Sequence, residues 1–337
     1  VSFVAVAIVA VAVAACDSAP PTVTPSPQGS GSASQQPIGS AVGPSTGAPT
    51  QPAQGSQAPS ASGTSAPSGV IATTAPTVPP QDAITGELVK PGSLTICLAL
   101  LGEPAAAIAG DGLPDGYNIA FANEIARRLA LTPVIRQTLF SELTTQIQSH
   151  GCDVSVSSQN ITAAREQVMS LIPYTQSKLG RPVVVAKGNP LAILALDDLC
   201  GHSASATTGS TSADLVTGSG EFAGAGLNAA CLTDAKEPID LHTYETELDS
   251  VQALIHGDVE AYLGNANFVL DYPDLIQYAQ AALPPAKQGI AVALDHPNLK
   301  SAVDASLAAM IDDGTYLDIL THYLPNEQSV DNFSIIE

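Results

Sequence analysis

Seven consecutive residues, Gln159-Asn160-Ile161-Thr162-Ala163-Ala164-Arg165, combine the groups needed to receive a carboxylate. They follow a strand-like run over 153–158 and open a short helix. Thr162 suits the N-cap, where its hydroxyl can accept from a free backbone N–H of the first turn. The N–H groups of that turn carry partial positive charge and favour an anion. Arg165 adds a permanent cation whose planar fork of donors matches a carboxylate. Ser157, Ser158 and Asn160 line the approach with small polar groups. A capped surface helix with a solvated Arg has the same local sequence, so the rest of the chain must decide between the two.

Other chemistry is poorly represented. The six histidines (His150, His202, His242, His256, His296 and His322) show no ligand spacing, and the cysteines match no zinc pattern. No Ser/His/Asp or Cys/His arrangement stands out. No metal, no cofactor and no catalytic residue is therefore expected. Nearly all of the formal charge of −21 lies on residues 82–337. That surface argues against nucleic acid or an anionic membrane as a partner, while one local cation can still dominate a cleft.

Several elements must position Arg165. An apolar strand is expected over 93–100, as in a buried parallel sheet. A helix over 118–129, N-capped by Asn118, follows a Gly/Pro/Asp-rich loop. A strand over 134–138, a helix over 140–149 and a strand over 154–158 complete a β-α-β-α-β run. Such a run implies an α/β domain with right-handed crossovers and ligands beyond the carboxyl ends of its strands. A strand over 182–186 leads into a second, similar unit. That unit has strands over 203–207, 239–243 and 259–263, and helices opening at Gly209-Ser210-Thr211-Ser212 and over 247–255. The Gly/Ala-rich stretch 218–230 reads as a loop. A strand over 289–294 and two helices, 297–312 and 315–323, close the chain.

The first residues read differently. Residues 1–15 are apolar apart from Ser2, too short to span a membrane, and run into Val13-Ala14-Ala15-Cys16, which resembles a bacterial lipobox. No Lys or Arg precedes Lys90, so the basic start of a signal peptide is missing, as expected of a truncated leader. Residues 18–81 hold no charge and no aromatic, and their Pro, Ser, Gly, Thr, Gln and Ala cannot bury enough apolar surface to offset ordering entropy. A disordered tether over 16–88 is expected, with a reach on the order of 50 Å. Four cysteines remain in the exported part, with three possible connectivities. Their positions favour Cys97 with Cys152 and Cys200 with Cys231, against the alternative of free buried thiols.

Four segments in order resemble the family 3 extracellular solute-binding proteins, the polar amino-acid receptors of ABC importers. They are 116–126 (Gly-Tyr-Asn-Ile-Ala-Phe-Ala-Asn-Glu-Ile-Ala), 152–165 ending Ile161-Thr162-Ala163-Ala164-Arg165, Pro173-Tyr174, and 310–323 with Asp313-Gly314-Thr315-Tyr316. The resemblance implies an α/β, two-lobed periplasmic-binding-protein-like (type II) fold joined by two crossover hinge strands. Lobe 1 would comprise 89–182 plus 288–337 and lobe 2 183–287, with hinges near 182–187 and 285–289. It implies an amino acid or related small carboxylate as ligand, an ABC permease and its ATPase as partners, and a monomer. Lipid on Cys16 would anchor the chain to the outer face of the cell membrane.

Residue by residue, the resemblance assigns Arg165 to the ligand α-carboxylate, Ser158 and Asn160 to hydrogen bonds beside it, Phe140 to the ligand side chain, and Thr211 to a second donor from lobe 2. Asn265 falls where the family usually places an Asp against the ligand ammonium. An amide leaves that charge unopposed, so Glu260 or Asp240 is expected to substitute, or the ligand is not a zwitterion. Asn118 and Ala120 replace acids in the signature helix. The loop 101–107 lacks the aromatic that often caps the ligand, which implies a more open pocket there. Glu103 is a further candidate for a cationic ligand group. The alternatives are a dehydratase-like cleft enzyme using Glu103 or Glu260, and a sensory receptor without transport.

Overall fold

The structure is a computed structural model that describes residues 81–110 and 112–336. Cys16, the expected leader and most of the expected tether lie outside the described residues.

The chain runs through α1 (Gln81–Ile84), β1 (Ser93–Leu98), β2 (Ala107–Ile108), β3 (Pro114–Asp115), α2 (Tyr117–Arg128), β4 (Thr132–Gln137), α3 (Leu143–Gln148), β5 (Val154–Asn160), α4 (Ala163–Glu166), β6 (Ser170–Ser177) and β7 (Arg181–Ala186). It continues through β8 (Ser203–Thr207), α5 (Thr211–Thr217), α6 (Leu227–Thr233), β9 (Asp240–Tyr244), α7 (Glu247–His256), β10 (Ala261–Tyr262), α8 (Phe268–Asp271), β11 (Ile276–Leu283), β12 (Ala286–Val292), α9 (Pro297–Asp312), α10 (Thr315–Tyr323) and α11 (Glu327–Phe333). Two five-stranded sheets result, ordered β4-β1-β5-β12-β6 and β11-β7-β10-β8-β9. Each has a parallel half, β4-β1-β5 and β10-β8-β9, and antiparallel neighbours. This is the two-lobed type II architecture.

Alternation along the strands explains the layering. Val183 and Val185 of β7 join one core cluster of the second sheet, and Val184 between them joins the other. Tyr262 of β10 likewise faces away from Ala261 and Leu263. A strand sends successive side chains to opposite faces, so a continuous apolar run needs cover on both. The first sheet packs β1, β5 and β12 with α2, α9 and α10 into one large core.

The two sheets are joined twice. The chain leaves the first sheet at Ser177 and enters the second at Arg181, then returns between Leu283 and Ala286. The crossings, residues 178–180 and 284–285, lie slightly before the expected hinge segments. Pro182–Ala186 is instead strand within the second sheet. At Gly180 (φ 77°) a Cβ would overlap the carbonyl of Leu283, the last residue of β11 before the other crossing, so only glycine fits.

Several local expectations are corrected. Order extends further toward the N-terminus than the expected boundary at 88. Ile84 and Leu88 are buried in the first core, and the Glu87 carboxylate accepts from the N–H groups of Asn298 and Leu299 at the start of α9. Strands β6 and β11 were not expected. Residues 227–233, at the end of the expected loop, form α6, anchored by buried Cys231. Asn118 is no N-cap: α2 starts one residue earlier, and the buried Asn118 side chain accepts from the Tyr174 hydroxyl at 2.6 Å. Disulfides join Cys97 to Cys152 and Cys200 to Cys231, the favoured pairing. Among the described residues no helix is long and apolar enough to cross a membrane.

Candidate functional site

The carboxyl ends of the parallel strands in both sheets face a shared cleft. The segment after β1 brings Leu101, that after β4 brings Phe140, and the end of β5 brings Ser158, Asn160 and then Arg165. The second sheet contributes Thr211 after β8, Glu247 after β9 and Asn265 after β10. All of these side chains line one cavity of about 210 Å³. The six residues that the sequence proposed as ligand contacts are thus brought together. Cleft ligation at strand carboxyl ends is what an open α/β sheet offers.

Arg165 is fixed by its own turn. Thr162 caps α4 through its hydroxyl, which accepts from the Arg165 N–H at 3.2 Å. Because α4 is a single turn, its dipole adds little, and the guanidinium itself carries the positive charge. One Nη donates to the Asn160 carbonyl (2.9 Å) and the other to the Gly209 carbonyl in the second lobe (3.0 Å). The guanidinium also lies 5.7 Å from the centre of the Phe140 ring, within cation–π range. Burial pulls the Arg165 guanidinium below its usual value, and the carboxylates of Asp214 and Glu221 oppose that shift.

Ser158 holds a left-handed backbone (φ 49°), uncommon for a residue with a Cβ. A buried polar network holds it there. Its N–H donates to the Tyr174 hydroxyl at 2.9 Å, and Asn118 Nδ2 donates to its Oγ at 3.2 Å. Tyr117 completes the network 3.3 Å from the same Oγ, its phenol pushed up to about 12 by burial. Non-glycine residues held at positive φ cluster at binding sites.

The lobes touch directly across the cleft. Asn160 Nδ2 donates to Thr211 Oγ1, Asn265 Nδ2 donates to the Leu101 carbonyl at 2.7 Å, and Ser141 donates to Glu245 at 3.0 Å. The loop after β1 is packed against an aromatic of the opposite lobe. The buried Phe268 ring packs onto Gly102, where φ is 78° and any Cβ would overlap the ring. Beyond Phe140 and Glu247 the cleft widens into a second cavity of about 810 Å³, with Glu103, Glu142, Glu245 and Asp271 at exposed positions on its lining.

The acids proposed to stand in for an Asp at 265 are elsewhere. Glu260 is exposed and accepts from the Ser203 N–H at 2.9 Å, beside His202. Asp240 is exposed beside His242. Neither lines the cleft, and with Glu103 exposed, neither acid of the enzyme alternative is buried. Sequence reasoning missed Glu247 and Arg181, which do line the first cavity. Neither stood out in the sequence: Glu247 is one acid in the first turn of α7, and Arg181 simply opens β7. Arg181 Nη2 donates to Ser212 at 3.0 Å, and its buried Nε has no partner among the described residues. Away from the cleft, His150, Asp295 and His296 bring potential metal-ligand atoms within 4.8 Å of one another, a grouping that sequence spacing did not reveal.

Two lobes closing on a cavity lined from both sides define a two-lobed solute-binding protein. Residues 94–326 match the bacterial extracellular solute-binding proteins, family 3, and the chain belongs to that family. It is 24% identical over 243 residues to the L-cystine-binding protein TcyJ of Escherichia coli K12, covering 70% of this chain and 84% of that protein. It is 24% identical over 212 residues to the probable ABC transporter arginine-binding protein ArtJ of Chlamydia trachomatis, covering 60% and 75%. The P235GK mutant of ArgBP from T. maritima superposes with a TM-score of 0.61 at 23% identity, over 72% of this chain and 98% of that one. At that identity the superposition speaks for the fold alone.

Proposed function

We propose that this chain captures an amino acid or a related small carboxylate in the interlobe cleft and delivers it to the permease of an ABC importer. The observation that carries this reading is the convergence of Arg165 from the first lobe and Thr211 from the second on one cavity. A carboxylate placed between them would take charge-assisted bonds from the guanidinium and a bond from the hydroxyl, with Asn160 alongside. Across the cleft Arg165 donates to the Gly209 carbonyl and Asn160 to Thr211, so a ligand would exchange those contacts for stronger ones and favour the closed arrangement. Closure is then a shift between open and closed populations. The relatives described as binding cystine and arginine support an amino-acid ligand. Lipid on Cys16 would hold the chain at the outer face of the membrane, beside its permease.

The test is a thermal-shift screen of the purified chain against amino acids, polyamines, betaines, and hydroxy and keto acids. A ligand at 100 times its Kd that binds only the native state adds about 2.7 kcal/mol of stability. Shifts with carboxylate ligands that vanish in Arg165→Ala support the reading. A panel with no carboxylate responder overturns it. Anchoring is checked separately: Cys16→Ala should release the chain from the membrane fraction into the medium.

A further inference from the structure

A zwitterionic ligand brings a cation as well as a carboxylate, and the cleft must answer both. Asn265 is poorly placed to answer the cation. Its carboxamide oxygen accepts from the Asn267 N–H at 3.1 Å, and its Nδ2 is engaged with Leu101 across the cleft. An amide in any case carries no charge to balance an ammonium held away from water. Behind it stands Glu247. Its side chain is buried, yet it lines both cavities, at their junction.

One oxygen of Glu247, Oε2, accepts from the Tyr262 hydroxyl and from the Asn265 N–H at 3.3 Å, which fixes the carboxylate beside residue 265. The other, Oε1, has no hydrogen-bond partner among the described residues, and Glu247 forms no ion pair there. Arg181 is close enough to feel its charge without contacting it. A buried, oriented carboxylate with one uncommitted oxygen in a ligand cavity is costly unless something cationic completes it.

We infer that Glu247 supplies the negative charge that opposes a primary ammonium on the ligand, and that the cleft therefore selects α-amino acids over carboxylates of the same shape that lack the ammonium. This rests on the carboxylate-binding reading above. It places the ammonium at the junction of the two cavities, with the carboxylate toward Arg165 and the side chain toward the larger cavity.

The test compares each standard L-amino acid with the α-hydroxy acid bearing the same side chain, by titration calorimetry, on the purified chain and on Glu247→Gln. The amide keeps an acceptor for Tyr262 and Asn265 but removes the charge. For the responding side chain, the wild-type chain should prefer the amino acid by about 100-fold, and Glu247→Gln should bring that preference to within about tenfold by weakening only the amino acid. Glu247→Asp, which restores the charge, should recover part of it. Tyr262→Phe removes the same fixing bond without the charge and should leave the preference in place, which separates a charge effect from a packing effect. A preference unchanged in Glu247→Gln overturns the inference, as does a wild-type chain that binds hydroxy acids but no amino acid. If the wild-type chain binds no carboxylate at all, the underlying reading fails instead.

Discussion

Asn160 Nδ2 and Thr211 Oγ1 lie 2.6 Å apart and belong to different lobes. The bond therefore exists only while the cleft is closed. The contacts of Arg165 with Gly209, Asn265 with Leu101 and Ser141 with Glu245 have the same property. Each such bond contributes about 1 kcal/mol net, so together they bias closure without locking it.

Arg165→Ala should weaken carboxylate ligands by about 100-fold or more, the expected cost of removing one partner of a sheltered charge pair. The unliganded melting temperature should hardly move, because the two carbonyls freed by the change lie at the cleft, where water can reach them. Calorimetric titration and a thermal melt of the same sample check both halves. Retained affinity would detach Arg165 from the ligand.

Gly102→Ala should hinder closure. The substitution places a Cβ in a left-handed backbone, at about 1–2 kcal/mol, and drives it into the Phe268 ring. Apparent affinity should fall about tenfold or more, and small-angle scattering with saturating ligand should report a larger radius of gyration than the wild-type complex. Adding Phe268→Ala removes the overlap, so the double variant should be less impaired than the two single effects combined. Strict additivity would show that this contact does not govern closure.

The disulfides close loops with sequence separations of 55 and 31 residues. Limiting the unfolded chain in this way stabilises by on the order of 4 kcal/mol each. Replacing Cys200 and Cys231 together by Ala should lower the unfolding free energy by roughly that amount in denaturant titrations, with the Cys97–Cys152 bridge left intact. A change well under 1 kcal/mol would show that the unfolded chain is already restricted in that region.

Asp313 titrates in acid. Bonds from the Thr315 hydroxyl and N–H, together with one from Arg128, hold its carboxyl down to about 2. A depressed folded value means its contribution is fully present above about pH 4, the ordinary carboxylate range, and is lost as pH falls toward 2. Asp313→Asn should lack that pH dependence. NMR titration of the carboxyl reads the value directly, and a midpoint near 4 would contradict the bonding described.

β1, β5, β8 and β10 were legible as short, mostly buried runs, whereas β6 and β11 were not recognised. β6 is an edge strand carrying Pro173, which a central strand would not tolerate, and β11 alternates buried with exposed residues around Gln277 and Gln280. At the site, the residues singled out around Arg165 share one cavity because they sit at strand ends whose order the pattern implied. Glu247, which lines the cavity, could not be told from Glu260 and Asp240, which do not, because the three differ in burial and not in type. Phe268 was invisible because its partner, Gly102, is 166 positions away and in the other lobe.

The crossings at 178–180 and 284–285 run side by side where Gly180 meets the carbonyl of Leu283, at the end of β11, and the adjoining Pro284. Two short struts in contact leave the lobes little freedom beyond bending about one shared axis. A single angle then separates the open form from the closed form, and apparent affinity scales with the fraction of molecules already closed. Substitutions in the struts would rescale affinity for every ligand by one common factor, while substitutions around Arg165 and Glu247 would change which ligand is preferred. On the proposed reading, sensitivity and selectivity would lie in separate parts of the chain and could be adjusted independently.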